Sequence, residues 1–270
     1  MPGQQIRIAA QLHPQHGTYP RIRDAAVEAE SLGYDTLYTW DHFFPLYGDP
    51  NGAHFECWSL LAAWAERTTS IQLGSLVGCN SYRNPELLSE IARTVDHISD
   101  GRVVLGIGSG WFARDYGEHG FVFGTAADRL RQLEAAVPRI RRRLRAGNPP
   151  PIGSVPLLIG GVGEKITLRL VARHADGWHA LFPDRPEELE PKVSALRGWG
   201  EKVERDVESI EWGVGVEPDD LERFLDEDAD AYVAMGFTQF TLGFNGPGWD
   251  VASGAPWLAW RDARNRVPAV

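Results

Sequence analysis

Short runs of Val, Ile, Leu and aromatic residues recur along the chain, each followed by a longer stretch in which apolar positions return every three or four residues. The first pattern is that of a buried strand and the second that of a helix with one apolar face. Strands are predicted at IRIAAQL (6–12), YDTLYTW (34–40), IQLGSLV (71–77), VVLGIGS (103–109), PLLIGG (156–161), GWHAL (177–181), SIEWGV (209–214) and FTQFTLGF (237–244). Helices are predicted near 20–32, 55–67, from Pro85 onward, and near 127–145, 163–175, 186–204 and 218–235. Gly33 suits a helix stop and Pro85 a first helical turn. Eight strands that each feed a helix point to a closed α/β architecture, the (β/α)8 TIM barrel, in preference to an open doubly wound sheet. The segment AGNPPPIGSVP (146–156) is the richest in Pro and Gly, yet the strand that follows resumes the alternation at once. We therefore expect one domain over 1–270 with a surface loop at that point.

In such barrels the chemistry sits at the C-terminal ends of the strands. That rule selects His13 and His16 after the first strand, Asp41 and His42 after the second, Leu76 to Asn80 after the third, Gly108 to Trp111 after the fourth, Gly160 to Gly163 after the fifth, and His179 in the sixth. A strand-to-helix turn made of Gly160, Gly161 and Gly163 suits an anion held on backbone N–H groups, and equally a tight turn with no ligand. GIGSGW lacks the third glycine of a dinucleotide fingerprint, since Trp111 stands there. Glycines 108 and 110 at a strand mouth would let a flat ring approach the backbone. His42 is a candidate proton carrier with Asp41 beside it, or an ordinary loop side chain. The H-x-x-H of His13 and His16 finds only His179 and Asp184 as further ligand candidates at strand ends, so no metal site is expected. No serine lies in a G-x-S-x-G context, which disfavours acyl transfer. Trp40 and Trp111 at strand mouths suit the walls of an aromatic pocket.

Composition narrows the classes further. With 27 Lys and Arg against 37 Asp and Glu, the net charge of −10 argues against nucleic acid as a partner. The one Arg-rich run, RIRRRLR at 139–145, lies where a helix ends and the helix dipole favours cations. Two cysteines, Cys57 and Cys79, make no disulfide framework or metal spacing. Neither a signal-peptide pattern nor a run of eighteen apolar residues occurs, so a cytoplasmic protein with no membrane partner is expected.

DHF at 41–43, ECW at 56–58, the segment from GSLVGCN to GIGSGW at 74–111, Asp115-Tyr116, and LLIGGVGEKITLRLVARHADGW at 157–178 together resemble the bacterial luciferase-like flavin and deazaflavin oxidoreductases. The resemblance is greatest to the branch that uses coenzyme F420, an 8-hydroxy-5-deazaflavin, and covers most of residues 6–180. It implies a luciferase-like TIM barrel and hydride transfer between C5 of the deazaflavin and a small organic substrate. It implies that Asp41 and His42 contact the coenzyme's head, with His42 as the catalytic proton donor or acceptor. It further implies a cis peptide joining Leu76 and Val77, in a segment 76–80 that, with Gly78 and Asn80, backs the ring. Gly108, Ser109 and Gly110 would line the coenzyme, and Gly160, Gly161, Val162 and Gly163 would hold its phosphate. His13, Trp40, Phe43 and Trp111 would wall the substrate pocket, with Phe44, Phe112 and Phe182 adding to its apolar character. The alternatives are an FMN-dependent monooxygenase of the same family and a flavin-binding barrel without turnover. The sequence departs from the sugar-phosphate and alcohol dehydrogenases of that group: a glutamate they carry near Trp111 is missing, and Leu46 stands where they have an aromatic. A homodimer packed through helices near strands two and three, with the aromatics of 54–64, is also implied.

Overall fold

The computed structural model describes residues 5–266, so positions 1–4 and 267–270 of the expected domain lie outside the described residues. The strands are β1 (Arg7–Leu12), β2 (Thr36–Thr39), β3 (Gln72–Ser75), β4 (Gly78–Cys79), β5 (Val103–Gly108), β6 (Leu157–Gly160), β7 (Gly177–His179), β8 (Glu211–Val216) and β9 (Gln239–Phe244). They form one parallel sheet in the order β3-β2-β1-β9-β8-β7-β6-β5-β4. Pairing of Leu73 with Val103 and of Gly74 with Val104 joins β3 to β5 and closes the sheet into a barrel. The strand expected at 71–77 is thus two pieces, β3 and β4, with a cis Leu76–Val77 peptide between them. Counting β3 and β4 as one stave, the barrel has the eight staves read from the sequence.

The helices are α1 (Tyr19–Leu32), α2 (Cys57–Arg67), α3 (Pro85–Ile98), α4 (Ala113–His119), α5 (Ala126–Arg145), α6 (Thr167–His174), α7 (Glu190–Lys202), α8 (Leu221–Glu227), α9 (Ala229–Met235) and α10 (Ala255–Asn265). Their ends follow local chemistry. Asn84 accepts from the backbone N–H groups of Glu86 and Leu87 ahead of Pro85, and Thr125 with Asp128 forms a reciprocal capping box that starts α5. The helix expected over 218–235 is broken in two at Asp228, whose buried carboxylate accepts from Arg223 at 2.7 Å and Arg185 at 3.3 Å. Two helices were not anticipated. α4 is short and mostly polar, and α10 packs Trp257 and Trp260 against Phe240 of β9, with Asn265 at its end exchanging two 2.9 Å hydrogen bonds with the backbone of Ile6. The Pro/Gly-rich loop is strapped to α3, since Asp96 accepts from the N–H groups of Ile152 and Gly153.

Alternate residues of β1 point inward and define three levels. At the floor, Arg7 donates to Glu211 and Thr36. The middle is apolar, with Ala9, Tyr38, Val104, Leu158 and Leu76 packed together. At the top stand Gln11 and His13, both buried. The larger apolar core lies between the outer face of the barrel and the helices.

Candidate active site

The interrupted stave shapes the back of the mouth. At the break, Gln11 donates to the carbonyl of Leu76 at 2.7 Å, and Ser75 Oγ donates to the carbonyl of Gly106 at 2.8 Å. Val77 projects across the two neighbouring strands. A Cβ on Gly108 would lie 2.9 Å from Val77 Cγ2, and one on Gly160 would lie 2.9 Å from Val77 Cγ1. These two glycines clear space for a side chain of the protein itself, whereas the sequence suggested space for a ligand ring at Gly108 and an anion-holding or tight turn at Gly160. Gly110, at φ +79°, makes the same concession to Tyr116 and Cys79, whose atoms would lie 2.2 and 2.5 Å from its Cβ. In the fifth-strand turn Gly161 has φ +118°, a backbone conformation that L side chains resist. Its N–H is committed to the carbonyl of His179 at 3.0 Å. Val162 is half-buried and Gly163 exposed at the rim, four residues ahead of α6.

Asp41 and His42 follow β2 and are both buried. The two carboxylate oxygens of Asp41 accept from Arg83 at 2.6 and 3.0 Å, and one also accepts from the N–H of Cys79 at 3.0 Å. Arg83 donates in addition to Glu56 at 2.5 Å, so this half-buried cation is balanced by two carboxylates. Asp41 therefore anchors β4, the outer piece of the broken stave. It does not orient His42. That partner is Asp115 of α4, whose Oδ2 lies 2.7 Å from His42 Nδ1. Asp115 has no exposed surface and also accepts from Tyr82 OH at 2.8 Å and Phe43 N–H at 3.1 Å. Burial pushes its carboxyl up, but the hydrogen bonds from His42 and Tyr82 and the Phe43 N–H outweigh burial and hold it below the usual carboxylate range.

The rings of Trp40, Trp111 and Phe112 stand edge-on around His42, with centroids 6.2, 5.8 and 5.5 Å away. Trp111 is 62% exposed and forms the outer lip. His13 stacks on Trp40 at 4.2 Å, and its Nδ1 lies 2.7 Å from Asn245 Oδ1 and also meets Tyr47 OH. Burial lowers the His13 pKa to about 4, against a smaller opposing pull from Asn245, so the ring is neutral near pH 7. Asn80 is buried in the turn that follows β4, and Ser109 is half-buried at the mouth of β5.

Phe43 is not brought to this wall. Adjacent residues on extended backbone face opposite ways, and the Phe43 ring instead packs on His119 at 4.2 Å and Tyr82 at 5.0 Å, beneath α4. Phe44 lies under Arg114, and Phe182 fills the space in front of Gly215. His16 meets the carbonyl of Tyr47, away from His13 Nε2. Among the described residues no group of three or more His, Cys, Asp or Glu side chains could hold a metal ion. No helix among them is long and apolar enough to cross a membrane. Two clefts of about 400 Å³ lie against α7 on the outside of the barrel, away from all these residues.

The mouth thus combines a closed parallel barrel, a histidine–carboxylate pair at its C-terminal end and a broken third stave. Residues 4–234 match the luciferase-like monooxygenase family, and the chain belongs to that family of enzymes. It is 27% identical over 202 residues to an uncharacterized protein of Mycobacterium tuberculosis, covering 64% of this chain and 71% of that one. It is also 27% identical over 206 residues to the F420-dependent glucose-6-phosphate dehydrogenase of Amycolatopsis mediterranei, covering 69% of this chain and 61% of that one. Among solved structures, an F420-dependent secondary alcohol dehydrogenase in complex with an F420-acetone adduct superposes with a TM-score of 0.81 at 17% identity, covering 97% of this chain and 100% of that one. This last likeness is one of fold.

Proposed function

We propose that the protein is a coenzyme F420-dependent oxidoreductase acting on a small organic substrate, with His42 moving a proton at the substrate. The observation that carries this reading is the His42–Asp115 pair at the strand mouth, with His42 Nε2 free of any protein partner among the described residues. Family membership and the F420-dependent relatives support the choice of coenzyme.

The residues present fit such a group. Gln11 Oε1 and His13 Nε2 are buried without a hydrogen-bond partner among the described residues. Each orphaned atom costs about 1–3 kcal/mol, which a polar ligand in the mouth would relieve. Leu76 to Gly78 and Asn80 would back the ring, Gly108 to Gly110 would flank it, and Val162 and Gly163 would present backbone N–H groups to its phosphate. When bound, the deazaflavin supplies a two-electron hydride acceptor or donor. The chain's own part is to hold His42, to exclude water with Trp40, Trp111 and Phe112, and to shape the substrate space beside His13. Cations near this wall are already engaged. Arg83 is paired with Asp41 and Glu56, Arg114 donates to Asn51 and the Pro50 carbonyl, and Arg129 donates to the carbonyls of Gly110 and Phe123. An uncharged substrate is therefore favoured over a phosphorylated one.

Titration of the purified protein with F420 and with FMN, followed by fluorescence quenching, tests the reading. F420 should bind, and His42→Ala should retain binding while slowing coenzyme reduction or oxidation by roughly 10²- to 10⁴-fold with a substrate found by screening. Micromolar binding of FMN with no response to F420 would overturn it in favour of the monooxygenase alternative.

A further inference from the structure

Three donors, two from adjacent residues after β2 and one from the turn after β4, converge on one carboxylate. The Phe43 N–H reaches Asp115 Oδ1, while Tyr82 OH and His42 Nδ1 both reach Oδ2. An ionised carboxylate accepts hydrogen bonds and donates none, so at 2.7 Å the proton between the two groups belongs to His42 Nδ1. The other ring nitrogen, Nε2, has no partner among the described residues, and the ring is held edge-on by Trp40, Trp111 and Phe112.

We propose that Asp115 is a positioning residue that fixes neutral His42 as the Nδ1–H tautomer, so that Nε2 meets an incoming substrate as a lone pair. The consequence for chemistry rests on the proposed function. His42 would take a proton from a substrate O–H or N–H: that bond breaks, an Nε2–H bond forms, and the imidazolium is stabilised by the carboxylate behind it. In the opposite direction the ring would first have to be protonated from solvent. The tautomer itself rests on the geometry alone. The competing account is that Asp115 merely staples the loop after β2 to α4 through Phe43.

The two accounts separate in the coenzyme-free protein. Nitrogen-15 NMR of the histidine rings should show His42 protonated at Nδ1 and bare at Nε2. Diethyl pyrocarbonate, which acylates an unprotonated ring nitrogen, should modify His42 at Nε2, as read by mass spectrometry of the peptide carrying it. Asp115→Asn cannot serve all three donors, because an amide has only one oxygen. With its NH₂ turned toward Nδ1, the His42 proton should move to Nε2 and the acylation should be lost. Tyr82→Phe removes a donor from the same carboxylate without touching the imidazole, and should leave both signals unchanged. An Nε2–H tautomer in the unmodified protein would overturn the proposal, even if Asp115→Asn failed to fold. So would retention of the Nδ1–H tautomer in Asp115→Asn, or its loss in Tyr82→Phe. Failure of F420 to bind would sink the functional reading and leave the tautomer result standing.

Discussion

Lowering the pH from 7 to 5 should destabilise this barrel by roughly 5–6 kcal/mol through three histidines that fold as neutral rings. Burial pushes His13 and His54 down to about 4 and His179 down to about 3. His179 has no exposed surface, and its Nδ1 accepts the Leu181 N–H at 3.0 Å, which requires an unprotonated nitrogen. An unfolded histidine titrates near about 6.5, and each unit of difference is worth about 1.4 kcal/mol. Because the folded values are depressed, the rings contribute no pH dependence well above 6.5. As the pH falls below that value the unfolded chain binds protons that the folded chain refuses, and stability drops until the folded values near 4 and 3 are passed. At pH 5 this amounts to about 2 kcal/mol for each ring. A domain is typically stable by about 5–15 kcal/mol, so the loss is a large share of the whole. Urea unfolding at the two pH values and constant ionic strength measures it as a shift in midpoint at constant slope. His179→Gln should remove about 2 kcal/mol of the difference. Coincident midpoints at pH 7 and pH 5 would refute the reasoning.

Two further perturbations address the scaffold of the site. Gly160→Ala places a methyl group 2.9 Å from Val77 Cγ1 and should cost about 1–3 kcal/mol in thermal or urea unfolding; adding Val77→Ala should recover most of it, and simple additivity of the two losses would show that the contact does not govern the fit. Arg83→Met leaves Asp41 buried without its cation and should cost about 3–5 kcal/mol, partly recovered by adding Asp41→Asn, whereas a loss under about 1 kcal/mol would mean that the pair behaves like an exposed one.

The barrel was legible because burial on both faces leaves its strands rich in Val, Ile, Leu and aromatic residues, and all eight staves follow from that pattern. Its irregular parts were not. The break at Leu76–Val77 has no signature in hydrophobic periodicity and came only from the family resemblance. Asp228 reads as one more polar residue on a helix face, although its two arginine partners make it a joint. α4 has too few apolar positions to stand out. At the site, proximity in sequence suggested that Asp41 orients His42, whereas the partner is Asp115, 73 positions away. The Asp115-Tyr116 pair stands out only as part of a resemblance; a buried carboxylate reaching the His42 ring from another βα unit leaves no local mark. The crowding of Gly108 and Gly160 by Val77, a residue on a separate stave, likewise leaves no mark in the local sequence of either glycine.

Val77 and the two hollows that receive it lie on three neighbouring strands, and this has a consequence for how such a protein can change over evolutionary time. A larger residue at 77 has nowhere to go, a smaller one leaves a void, and a methyl at either hollow collides. Drift at any of these positions is thus blocked unless several change at once. The rear of the barrel mouth is in that sense frozen, while the loops that carry Trp111 and Tyr47 are less constrained by this contact. New substrates would be acquired at the rim, on an unchanging floor.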